Sequence, residues 1–191
     1  MYMKLSKTVA AIALAAFVGH VYAENDAAAK PAGEVNLIRN GSFENTKPFC
    51  RPTVDYQAAK PFIGWDCLGG WFDHIQVSRL ASDGNLSAQF SGGCWISRGV
   101  KVEEGGKHLV SGFLRTALPA TPEQEGLGAY FEVRADGKTL LRRSLSGVHD
   151  WRKLEGEFTV PPGVKWVKIK IGGGGGGFTW ADDFKVVKLK E

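Results

Sequence analysis

The residues in this chain best suited to chemistry with a ligand are its aromatics. Six Trp, four Tyr and eleven Phe occur among 191 residues. A pyranose presents apolar C–H patches between its hydroxyls. A flat indole or phenol covers such a patch while Asn, Gln, Asp or Arg groups beside it bond the hydroxyls. Trp71, Phe72, Trp95 and Tyr130 are the candidates for such a ligand-binding surface. Tyr130 is opposite in strand parity to Phe131 and lies beside Glu132 and Arg134, and Trp95 is opposite in parity to Ile96. The competing place for each of the four is the core, where large aromatics usually belong.

Catalysis has less support. Glycoside hydrolysis needs two carboxylates facing each other across a cleft. Here Asp and Glu are scattered, and no pair is marked by an aromatic pocket. Ser-His-Asp chemistry needs a positioned histidine, yet His74, His108 and His149 lie near strands or turns with no G-x-S-x-G element. No catalytic residue is assigned, and the chain reads as a non-enzyme.

The elements that would position a binding surface are strands. Apolar and polar residues alternate with period two, and turn signals recur along the chain, the pattern of an all-β, antiparallel sandwich. Leu86, Ala88 and Phe90 share one face, as do Val167, Ile169 and Ile171. Ala129, Phe131 and Val133 precede Asp136-Gly137, a strong hairpin signal, with Leu141 and Leu145 on the return strand. Phe178, Trp180, Phe184 and Val186 lie on one parity of the last strand. Lys165, Lys168 and Lys170 alternate along another strand and read as a solvated charge row. Gly172–Gly177 reads as a flexible turn, the alternative being close approach of the backbone to a ligand or another chain.

Residues 1–23 read as a secretory signal peptide: Lys4 and Lys7, an Ala-rich apolar run, then Val21-Tyr22-Ala23 before the cleavage point. Residues 24–34 read as a flexible leader, and 35–191 as a single β-sandwich domain. The expected destination is secreted, whether periplasmic or extracellular. The apolar run is too short for a membrane span. Two of the four net positive charges come from Lys4 and Lys7. Without them the chain is near neutral, and no Lys/Arg cluster of the nucleic-acid type appears. Of the three cysteines, Cys50 and Cys67 flank one long loop and are the first choice for a disulfide, with Cys67–Cys94 as the alternative pairing.

Several segments carry a family likeness. Asn36-Leu37-Ile38-Arg39-Asn40-Gly41-Ser42-Phe43-Glu44 opens the domain as a short apolar strand running into Asn-Gly and an acidic residue. Phe178-Thr179-Trp180-Ala181-Asp182-Asp183-Phe184 closes it, and Trp151 to Pro161 supplies a W-x-x-x-x-x-x-F-x-V-P segment between them. Together these resemble carbohydrate-binding modules of the family 4/9 type, over roughly residues 35 to 189. The resemblance implies a galactose-binding-like jelly-roll sandwich. It also implies a structural Ca2+ joining first and last strands, with Glu44 and Asp182 at the matching positions and Asp183 as a spare. Hard cations take such oxygen ligands. Motif positions and core parities together place Phe43, Trp65, Phe113, Phe131, Trp151, Phe158 and Phe184 inside. The function implied is non-catalytic binding of a polysaccharide or glycan. The alternative is a secreted structural or interaction sandwich with a protein partner.

Overall fold

The computed structural model describes residues 35–46, 62–68, 75–117, 128–173 and 177–190. The signal peptide, the leader, Cys50, Trp71, Phe72 and His74 lie outside the described residues. Eleven strands form two antiparallel sheets, and the described residues contain no helix. No helix among them is long and apolar enough to cross a membrane.

One sheet runs β1 (Trp65–Leu68), β4 (Cys94–Ser97), β10 (Trp166–Gly173), β7 (Ala129–Ala135), β8 (Lys138–Leu145), with β5 (Val100–Lys101) also paired to β10. The other runs β2 (Ile75–Ser78), β3 (Ser87–Phe90), β11 (Phe178–Lys188), β6 (Lys107–Ala117), β9 (Val148–Thr159). Period-two patterning sets the faces. Val167, Ile169 and Ile171 of β10 are fully buried, as are Ala129, Phe131 and Val133 of β7. Asp136 (φ 47°) and Gly137 (φ 78°) make the tight turn between β7 and β8. Both central residues have positive φ, as a turn that matches strand twist requires.

Between the sheets runs a chain of aromatic contacts, edge-to-face except for the tilted Phe43–Trp65 pair. Phe43 meets Phe62 at 5.0 Å and Trp65 at 4.8 Å, and Phe62 meets Trp95 at 5.2 Å. Phe184 touches Trp65 at 6.2 Å and Phe131 at 5.6 Å. Geometry of this kind adds to plain area burial.

Residues 36–44 differ from expectation: they form an irregular segment with a turn over 39–42, not a strand. They still dock on the last strand. Leu37 N donates to Val186 O at 2.8 Å, Phe184 N donates to Gly41 O at 2.9 Å, and Val186 N donates to Asn36 Oδ1 at 3.0 Å. A Cβ on Gly41 would lie 1.8 Å from Phe184 O, so only glycine fits there. Asn40, at φ 54°, accepts from Trp65 Nε1 through its carbonyl and braces Asn45 and Ile63 with its side chain.

β11 holds the second departure. Its pairing with β6 shifts register between Asp182 and Lys185. Asp183 takes φ 45°, and its N–H donates to Asp182 Oδ1 at 2.7 Å. Aspartate tolerates this conformation because its short side chain bonds the local backbone. The bulge inserts an extra residue and reverses parity. Phe184 and Val186 therefore point inward as expected, while Phe178 and Trp180 fall on the opposite, outer face, with Thr179 and Ala181 buried instead.

Candidate functional site

That parity reversal builds the outer face of the five-stranded sheet. Gln89 of β3, Trp180 of β11 and Arg115 of β6 occupy one cross-strand row. Residues in such a row have Cβ atoms about 4.5–5.5 Å apart. Trp180 Nε1 donates to Gln89 Oε1 at 3.2 Å, and the Arg115 guanidinium sits 5.5 Å from the indole centroid. Phe178, 45% exposed, lies 6.0 Å from Trp180 at a tilt of 42°. Phe113, expected in the core, is only half-buried and stands one row on, opposite Lys153. Trp151, also expected in the core, is half-buried beside the irregularity of the β6–β9 pairing. The charges here balance: Arg115 Nε is 3.5 Å from Asp150 Oδ1, and Lys153 Nζ is 2.7 Å from Glu155 Oε2. A half-exposed indole, oriented by an amide and a guanidinium, can stack on a flat apolar surface while its neighbours exchange hydrogen bonds with hydroxyls.

The sequence-derived aromatics fare differently. Trp95 is fully buried, with its partner across the β10 pairing, Ile171, also at 0% exposure. The expected orientation is therefore inverted: Ile96 faces outward and Trp95 faces in. Burying an indole outweighs burying an isoleucine, even though Trp95 Nε1 meets no acceptor among the described residues. Tyr130 does lie on an outer face, that of the six-stranded sheet, but its ring is already covered. A Cβ on Gly172 would come within 2.4 Å of the phenol, and Arg142 caps the ring at 4.1 Å from its centroid. Arg142 Nη1 also donates to the nearly buried Glu132 at 2.9 Å. Gly172 and Gly173 thus serve close approach within the chain, to Tyr130 and to Thr179. The remaining candidates, Trp71 and Phe72, lie outside the described residues.

The acidic residues assigned to calcium have other work. Glu44 Oε1 accepts from Asn85 N at 2.7 Å and Leu86 N at 2.8 Å. Asp182 Oδ2 accepts from Ser82 N at 2.8 Å, Ser82 Oγ at 2.9 Å and Asp83 N at 3.2 Å. Asp183 pairs with Lys185. Glu44 from the opening segment and Asp182 from the last strand thus converge on one loop, 82–86. They face N–H and O–H donors, whereas a hard cation needs oxygens. The donor set as it stands does not fit the cation, and the described residues contain no cluster of three or more potential metal ligands. Burial pushes the Asp182 carboxyl above its ordinary value, with the Ser82 and Asp83 amides pulling against that rise.

Cys67 and Cys94 stand on paired strands but on opposite faces, since Cys67 pairs with Trp95 and Cys94 with Leu68. No disulfide joins them. Burial raises the Cys94 thiol, and Lys170 opposes the shift. The two described histidines are used structurally: His108 is buried and stacks on Phe158 at 5.4 Å, and His149 Nε2 lies 2.7 Å from Ser146 O.

No family model matches the chain, and no curated protein does. Solved structures do. A family 61 carbohydrate-binding module in complex with β-1,4-galactotriose superposes with TM-score 0.54 at 15% identity, over 81% of this chain and 99% of that one. A family 16 carbohydrate-binding module gives 0.53 at 17% identity, over 80% and 99%. The enzymatically active domain of bacteriophage CBA120 tailspike protein 4 gives 0.55 at 12% identity, with the likeness confined to 21% of that chain. The fold is the β-sandwich of carbohydrate-binding modules.

Proposed function

We propose that this protein is a secreted, non-catalytic carbohydrate-binding module that takes a glycan of uncharged sugars on the outer face of its five-stranded sheet. The observation that carries the reading is the Trp180 row. An indole fixed by Gln89 and Arg115, with exposed Phe178 beside it, has the make-up of a stacking platform with hydroxyl partners at its edge. The paired charges around it favour a ligand without net charge. The sandwiches it superposes on are consistent with this reading.

A glycan array with the whole secreted protein identifies the polysaccharide, and titration calorimetry with the Trp180→Ala variant tests the site. The expected loss is about 1–3 kcal/mol of binding, by analogy with other aromatic stacking platforms, with an unchanged melting temperature. Full-strength binding by that variant, or silence across plant, microbial and host glycans, would remove the site from this face.

A further inference from the structure

The outer face of the other sheet carries a different set of groups. Trp166, Lys168 and Lys170 follow one another on the same side of β10, about 6.6 Å apart from one to the next. Trp166 is 56% exposed. Its ring lies across the backbone of Gly99, where an added Cβ would come within 3.2 Å of Trp166 Cε3. The indole therefore rests on one face with the other open to solvent. Lys101 stands directly opposite Trp166, and Arg134 directly opposite Lys168. Like charges facing each other across strands are destabilising unless something offsets them. Among the described residues, none of the ion pairs involves Lys101, Arg134, Lys168 or Lys170. Arg134 gives one N–H to Gly137 O at 2.9 Å; Glu132, the acid directly opposite Lys170, is engaged by Arg142, and the Lys170 ammonium lies 5.6 Å from the Tyr130 ring centroid.

We propose that this Trp166 end of the six-stranded sheet is a second binding site, selective for acidic polysaccharides. The indole takes the apolar face of a sugar ring, and Lys168, Lys170, Lys101 and Arg134 take its carboxylate or sulfate. Each half of the arrangement narrows the ligand. A free inorganic anion has no use for the indole. An uncharged sugar leaves the opposed cations uncompensated. A single platform beside a few cations also differs from the succession of aromatics that single-stranded nucleic acid uses. The inference shares with the Trp180 site only the premise that the ligand is a saccharide.

Binding by the whole protein is measured for polygalacturonate and the same polymer after carboxyl reduction, for dextran sulfate and dextran, for oligo(dT), and for phosphatidylglycerol–phosphatidylcholine vesicles. The acidic polysaccharides should bind at least tenfold tighter than their neutral counterparts, and more weakly as salt rises. Polygalacturonate against dextran sulfate tells carboxylate from sulfate as the preferred anion. Trp166→Ala should weaken acidic-polymer binding about tenfold, one stacked ring being worth that much, and Lys168→Gln with Lys170→Gln should do so independently. Trp180→Ala should leave it untouched, which separates this site from the other. Equal binding of the carboxyl-reduced polymer, unaltered binding by the Trp166 and lysine variants, or tighter binding of oligo(dT) or vesicles each overturns the proposal. A lysine effect without a Trp166 effect would also overturn it, leaving an unspecific positive patch.

Discussion

The two outer faces of this sandwich use the same kinds of residue to different ends. On the five-stranded sheet, Trp180 is tethered at its N–H and flanked by an arginine that has its own acid. On the six-stranded sheet, Tyr130 is sealed between Gly172 and Arg142, and the open aromatic is Trp166, resting on Gly99 near Lys101, Lys168 and Arg134, which form no ion pair among the described residues. An aromatic on a sheet face is thus not in itself a platform. What counts is whether a neighbour caps the ring or only steers its edge, and whether the surrounding charges are already spent.

The largest effect belongs to the aromatic that lies on neither outer face. Trp95→Ala should cost about 3–5 kcal/mol of stability, the range for emptying a large buried site, whereas Trp166→Ala and Trp180→Ala should stay within about 0.5 kcal/mol, as surface changes do. Chemical denaturation of the three variants decides, and a Trp95→Ala protein as stable as the parent would return that ring to the surface. Arg142→Ala sharpens the contrast at intermediate size. It removes the cap on Tyr130 and leaves Glu132 nearly buried and unpaired, for about 1–3 kcal/mol. Loss of that stability with no gain in affinity for uncharged glycans would show that capping the ring serves the fold. The smallest effect concerns the loop held from both ends of the domain. Excess EDTA, and then added Ca2+, should move the melting temperature by less than the ~2–4 °C that 1 kcal/mol produces in a protein of this size, because amide and hydroxyl donors already satisfy Glu44 and Asp182. A rise with Ca2+ beyond that range would mean that the carboxylates turn from the amides to a cation.

Much of the architecture was legible in the sequence. Alternation in Val167, Ile169 and Ile171 and in Ala129, Phe131 and Val133 gave the inner rows, and Asp136-Gly137 gave the hairpin between β7 and β8. The family resemblance carried by residues 36–44 and the closing strand also pointed to two segments that meet in space, though through backbone and side-chain hydrogen bonds from an irregular segment and not as a paired strand. The binding face was harder to see. Phe178 and Trp180 share parity with Phe184, so period-two counting buried them. The signal that could have exposed them is Asp182-Asp183, an acidic pair inside an apolar strand and a place where an αL bulge is cheap.

Local repetition and local turn chemistry set strand existence, hairpin position and the sidedness of uninterrupted strands, and all three can be read along the chain. Tertiary structure decided which side chain is buried when both parities are apolar, as for Trp95 and Ile96, because that choice rests on the packing offered by Phe62, ahead of β1, and by Ile171 of β10. It also decided which like charges face each other, because Lys168 meets Arg134 only through the pairing of β10 with β7, strands far apart in the chain. Parity is a property of neighbours in sequence, whereas burial and charge balance are properties of neighbours in space.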